Sequence, residues 1–185
     1  MLEIRWHSRA GQGAVTGAKG LADVISTTGK HVQAFAFYGS AKRGAAMTAY
    51  NRVDDAVIMN HEKYMKPDFV FVIDPALAIT TDITINHKDN TKYIVTTHLS
   101  TQELKKAQPK LEGKEVYTVD CITIANETIG RPIPNTPMLG AFMKISGMYE
   151  IDFFKESMKR VLGKLPQKIV DANMIAIQRA FDEVK

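Results

Sequence analysis

Two glycine-containing segments carry the residue types best suited to hold a ligand. Gly11-Gln12-Gly13 stands between a run that alternates apolar and polar residues and a run of helical spacing. Glycine at such a junction lets the backbone approach a ligand closely, and the following helix presents unpaired N–H groups to an anion. The second segment, Tyr38-Gly39-Ser40-Ala41-Lys42-Arg43-Gly44, adds the Ser40 hydroxyl, the Lys42 and Arg43 cations and further glycine amides. That chemistry suits a phosphate-bearing ligand. It does not suit a nicotinamide dinucleotide. The fingerprint G-x-G-x-x-G needs glycine at position 16, which is Thr16, with Gly17 one step late, and no Asp or Glu lies between Phe35 and Asn51 to hold a ribose. The P-loop pattern is absent too. A tight strand-to-helix turn remains the other use for Gly11 and Gly13.

Catalytic constellations are scarce. His7, His31, His61, His87 and His98 show no i,i+4 pairing and no neighbouring cysteine, so no metal site is expected. There is no G-x-S-x-G elbow. Cys121, the single cysteine, follows an apolar strand and reads as a buried packing residue. Alone it excludes an intramolecular disulfide and any all-cysteine cluster within this chain. Asp74 and His98 end strand-like runs, where caps and turns are the usual roles. We expect no catalytic residue and no metal ligand here.

The elements that would position these segments follow from periodicity. Leu2 to His7, His31 to Phe37, Met47 to Val53, Phe69 to Ile73, Lys92 to Thr97 and Glu115 to Val119 read as strands. Ala14, Ala18, Leu21, Ala22 and Ile25 recur at helical spacing, with Gly29 as a stop signal. Asn135-Thr136-Pro137 resembles a helix start, with Thr136 as cap. Ile151, Phe154, Met158 and Val161 form one apolar stripe, and Val170, Met174, Ile177, Phe181 and Val184 another. Strands alternating with helices predict an α/β fold, a three-layer α/β/α arrangement with a largely parallel sheet and a helical C-terminal third. Residues 1–185 are expected to form a single domain. If the first two strands are parallel neighbours, both glycine segments emerge at one sheet edge, where open α/β sheets bind ligands.

Composition narrows the class. Among 185 residues, 24 Lys+Arg against 20 Asp+Glu give a net charge of +4, with dispersed cations. Lys105, Lys106, Lys110 and Lys114 alternate with Glu103, Glu112 and Glu115, a solvated face rather than a nucleic-acid track. No apolar run has the length of a membrane span. The start, Met1-Leu-Glu-Ile-Arg, lacks a signal-peptide core. A cytoplasmic protein without nucleic-acid partner is expected.

Three segments together carry a resemblance: His7 to Gly13, Tyr38 to Gly44, and Gly130-Arg131-Pro132-Ile133-Pro134-Asn135-Thr136-Pro137-Met138-Leu139-Gly140. In that order, over nearly the whole length, the chain resembles the gamma subunit of pyruvate:ferredoxin (flavodoxin) oxidoreductase and related 2-oxoacid:acceptor oxidoreductases. The resemblance implies a part of a larger enzyme that oxidatively decarboxylates pyruvate to acetyl-CoA. Such complexes use thiamine diphosphate, Mg2+, iron–sulfur clusters and coenzyme A, with alpha-, beta- and delta-type subunits as partners and ferredoxin or flavodoxin as acceptor. It implies no cofactor bound by this chain alone and no activity alone, but a covering role that assists coenzyme A binding. Gly11, Gln12, Gly13, Tyr38, Gly39, Ser40, Arg43 and Gly44 would line the inward edge. Other 2-oxoacids (2-oxoisovalerate, 2-oxoglutarate) are the alternative substrates. A free-standing flavodoxin-like phosphate or nucleotide module, or a pure scaffold, are the alternative classes.

Overall fold

Strand β1 (Leu2–Arg9) sends Ile4 and Trp6 to one face and Arg5 and His7 to the other, as strand periodicity requires. In the computed structural model, which describes residues 1–38, 44–60, 62 and 66–185, it lies inside a six-stranded sheet. The other strands are β2 (His31–Tyr38), β3 (Ala46–Asp54), β4 (Phe69–Val72), β5 (Lys92–Thr96) and β6 (Glu115–Val119), in the spatial order β2-β3-β1-β4-β5-β6. β1, β4, β5 and β6 pair in parallel, as the α/β pattern predicts. β3 is antiparallel to both β1 and β2.

The expectation that the first two strands are neighbours is therefore corrected. The chain returns from β2 into β3 within residues 39–45, setting Tyr38 opposite Met47, and so short a connection makes an antiparallel pair. β3 then occupies the place beside β1, with Ser8 opposite Met47. Two antiparallel steps restore the direction, so β2 still points the same way as β1. The segments that follow Arg9 and Tyr38 leave the same edge.

Helices cover both faces. α1 (Ala14–Ser26) packs on one face; α2 (Pro75–Thr80) and α3 (Thr101–Ala107) sit on the other; α4 (Cys121–Ile129), α5 (Asn135–Ser146), α6 (Ile151–Val161) and α7 (Gln167–Glu183) join α1. The α1 side holds the larger core, where Trp6 stands edge-on to Phe71 at 4.6 Å and Phe142 meets Phe69 and Phe71. On the α2 side Val70, Val72, Tyr93 and Val95 meet Leu77, Leu104 and Leu111. α5 begins at Asn135 with Pro134 as its cap, so Thr136 is not the cap. Thr136 is buried, and its N–H donates to Asn135 Oδ1 at 2.9 Å.

Two buried polar links fix the sheet to its surroundings. The Trp6 indole N–H donates to Asn51 Oδ1 at 2.9 Å, and Asn51 Nδ2 donates to the Ala18 carbonyl at 2.8 Å. This ties β1, β3 and α1 through one amide whose donor and acceptor are both satisfied. Arg52, fully buried, donates from Nε to Glu3 at 3.1 Å and from its terminal nitrogens to the carbonyls of Asn60 and Glu62. It anchors the backbone at Asn60 and Glu62 against the sheet.

Candidate functional site

The β1–α1 turn is shaped by its own neighbours. Gly13 caps α1 with φ 88°, a left-handed conformation that L side chains rarely adopt, and no side chain caps the helix. A Cβ on Gly13 would stand 2.9 Å from Asn135 Nδ2 and 3.1 Å from Ile133, and one on Gly17 3.0 Å from the Trp6 ring. Asn135 Nδ2 in turn donates to the Gly13 carbonyl at 3.3 Å. The first and third sequence segments thus interlock, and Gly13 and Gly17 are small because Asn135, Ile133 and Trp6 press on them. Gly11 is different: its φ is 100°, and a Cβ there would meet nothing within 4 Å. The turn is structural at Gly13 and open at Gly11.

Gln12 is held from both ends of its amide. Its Oε1 accepts from the Arg9 N–H at 2.8 Å and from the Ser8 hydroxyl at 3.2 Å, while its Nε2 donates to Asp74 at 2.7 Å. Arg9 pairs with the same Asp74 oxygen at 3.2 Å and reaches the Gly44 carbonyl at 3.3 Å. The Ala10 N–H donates to the Ala45 carbonyl at 3.0 Å. Gly44 therefore lies against the first turn. Tyr38 ends β2 at the same edge, 62% exposed.

Of the eight residues expected at the edge, Gly11, Gln12, Gly13, Tyr38 and Gly44 are brought together there. Gly39, Ser40 and Arg43 lie outside the described residues, as do Ala41 and Lys42. Gln12 is committed to internal hydrogen bonds, so its side chain shapes the edge. Sequence reasoning missed Asn135 as the residue filling the glycine turn and Asp74 as its fastener. Asp74-Pro75 is a helix-start pair, the signal that an α2 cap was present, but nothing in the spacing tied it to Gln12.

Beside Tyr38, on the α2 face, opens a cleft of about 330 Å3 whose lining includes His7, Thr48, Tyr50, Leu77 and Ile85. Burial, then the adjacent Arg5 cation, push the His7 pKa down from 6.5 to about 3, so the ring is neutral at physiological pH. Arg5 itself donates to the carbonyls of Ile83 and Ile85 and holds that wall.

Cys121 is fully buried, and burial raises its thiol to about 12. The thiolate is the reactive form. The folded chain is therefore expected to resist iodoacetamide at pH 8 and to alkylate fully in denaturant, read by intact mass; rapid native labelling would refute the packing role. A lone buried thiol does not fit the ligand set of an iron–sulfur cluster, and no group of three or more His, Cys, Asp or Glu among the described residues is placed to hold a metal.

A family model described as pyruvate ferredoxin/flavodoxin oxidoreductase matches residues 3–183. The pyruvate/ketoisovalerate oxidoreductases common subunit gamma of Pyrococcus abyssi is 40% identical over 186 residues, covering 100% of this chain and 98% of that one. Pyruvate synthase subunit PorC of Thermotoga maritima is 38% identical over 184 residues, covering 99% and 94%. The crystal structure of the Thermotoga maritima pyruvate oxidoreductase subunit PORC superposes with a TM-score of 0.85 at 35% identity, covering 100% of this chain and 97% of that one. The chain belongs to the pyruvate ferredoxin/flavodoxin oxidoreductase family. Within it, it is a gamma-type chain, a subunit of a multi-subunit oxidoreductase complex.

Proposed function

We propose that the chain is the gamma subunit of a pyruvate:ferredoxin or flavodoxin oxidoreductase, in which it covers the active site and assists coenzyme A binding. The observation that carries this reading is the shared edge. An α1 without a side-chain cap or an acidic residue in its first turn, open backbone at Gly11, and Tyr38 and Gly44 lie together at one edge of the sheet. The helix terminus favours an anion, and the basic segment after Tyr38 supplies cations for phosphates. In the assembled enzyme thiamine diphosphate, Mg2+ and iron–sulfur clusters supply the decarboxylation and electron-transfer chemistry from alpha-, beta- and delta-type partners. This chain's residues bind, orient and exclude water there.

Pyruvate is the favoured substrate because relatives named pyruvate synthase subunit PorC cover the whole chain. A second reading has its own support: the Pyrococcus and Thermococcus relatives are named as subunits common to pyruvate and ketoisovalerate enzymes. A gamma chain shared in that way leaves the choice of 2-oxoacid to other subunits. The cytoplasm is the compartment this reading implies. Among the described residues no helix is long and apolar enough to cross a membrane.

Two measurements test the reading. Purification from the native source is expected to recover the chain with thiamine-containing partners, and recovery as a lone monomer would contradict it. In the assembled enzyme Arg43→Ala is expected to raise the KM for coenzyme A about tenfold, the scale of one charge-assisted contact. Equal loss of decarboxylation would mark the segment as structural.

A further inference from the structure

Asp74 is nearly buried at the C-terminal end of β4, and both of its oxygens are in use. Oδ1 accepts from the amides of Ala76 at 2.9 Å and Leu77 at 3.3 Å, closing the N-terminus of α2. Oδ2 accepts from Gln12 Nε2 at 2.7 Å and forms an ion pair with Arg9 Nε at 3.2 Å. A cap needs only the first pair of bonds. The second pair reaches across to another loop, and each half leads onward. Gln12 carries the contact into the β1–α1 turn through the Arg9 N–H and the Ser8 hydroxyl. Arg9 carries it to the Gly44 carbonyl, two residues before β3.

We infer that Asp74 is a positioning residue for the coenzyme A edge: one carboxylate fastens the turn at Gly11–Gly13 and the return at Gly44 to the start of α2. This rests on the function proposed above. Asp74 does not itself touch the ligand. Its oxygens are turned inward and fully paired, so its effect passes through Gln12 and Arg9. The fastening matters because α1 and α2 are on opposite faces of the sheet, and among the described residues no backbone hydrogen bond joins the Gly11–Gly13 turn to the start of α2. Both charge and acceptor geometry are required: an amide at position 74 would present an N–H2 either to Gln12 Nε2 or to the α2 amides, donor against donor. It would also release Arg9.

The test uses the assembled enzyme with Asp74→Asn, Gln12→Glu and the double variant, compared with wild type and Arg43→Ala. Asp74→Asn is expected to raise the KM for coenzyme A about tenfold, the scale of one lost charge-assisted bond, with a smaller change in kcat. Hydrogen exchange should quicken in segments 9–13 and 44–46. Adding Gln12→Glu restores a donor–acceptor pair: the new amide at position 74 donates to the new carboxylate at position 12, and Arg9 pairs with that carboxylate. The double variant should recover most of the KM. A generic loss of stability would give no such rescue. Unchanged exchange in both segments with Asp74→Asn overturns the inference, as does quickened exchange with normal KM when Arg43→Ala raises KM. If neither Arg43→Ala nor Asp74→Asn moves KM, the proposed function fails and the inference fails with it.

Discussion

Gly140→Ala is expected to cost the chain its stable fold, with a loss on the order of 3 kcal/mol or more. Gly140 lies in α5 where α7 crosses, and an added Cβ would stand 2.0 Å from the Ile177 carbonyl oxygen and 2.8 Å from its carbon. Those atoms belong to the backbone of a long helix, so no rotamer change relieves the overlap. α7 would have to move bodily, lifting Val170, Met174 and Ile177 off the core. Gly20→Ala is the control. It lies inside α1, and its Cβ would meet only the Met158 methyl at 3.7 Å, an ordinary contact. Helix propensity alone then favours alanine by about 0.8–1 kcal/mol. Urea unfolding of the two variants should give midpoints on opposite sides of the wild type. A Gly140→Ala midpoint equal to the wild type would show that α5 and α7 do not cross at this distance.

The second large effect is on acid stability. The unfolded chain binds a proton at His7 near pH 6.5, the folded chain only near 3. Between these values the unfolded state holds more protons, so stability rises with pH and is lost as pH falls from 6.5 toward 3. The slope from this group approaches about 1.4 kcal/mol per pH unit. Asp82, held down to about 2 by hydrogen bonds from Lys110 and Thr84, adds a loss in the same direction below its ordinary value of 3.8. His7→Leu removes the first contribution and leaves the second. The variant should therefore lose less stability than wild type as the pH falls from about 6.5 to about 4, measured by urea midpoints at each pH. Parallel curves would place the imidazole in contact with water.

Much of the fold is legible in the sequence because burial there is periodic. Trp6, Phe71 and the α6 and α7 stripes announce their faces, and all six strands stand where alternation or apolar runs put them. What escaped was set by short range or by distance. α2, α3 and α4 are too brief for an apolar stripe and are held by end signals instead: Asp74 with Pro75, the Ser100–Glu103 capping box, and Asp120. Strand order depends on how the chain returns after Tyr38, which no residue type fixes. The glycine turn was legible as a turn. That Asn135 fills it, 122 residues away in sequence, is a tertiary fact. The same holds for Gln12, whose amide reads as a ligand contact until Asp74 is seen to hold it.

The most direct measurement of the account is hydrogen exchange of the assembled enzyme with and without coenzyme A. Binding is predicted to slow exchange in segments 9–13 and 38–46 of this chain, which include Gly11, Gly13, Tyr38 and Gly44 at the shared edge. Protection confined to other subunits, with both segments exchanging as before, would contradict it.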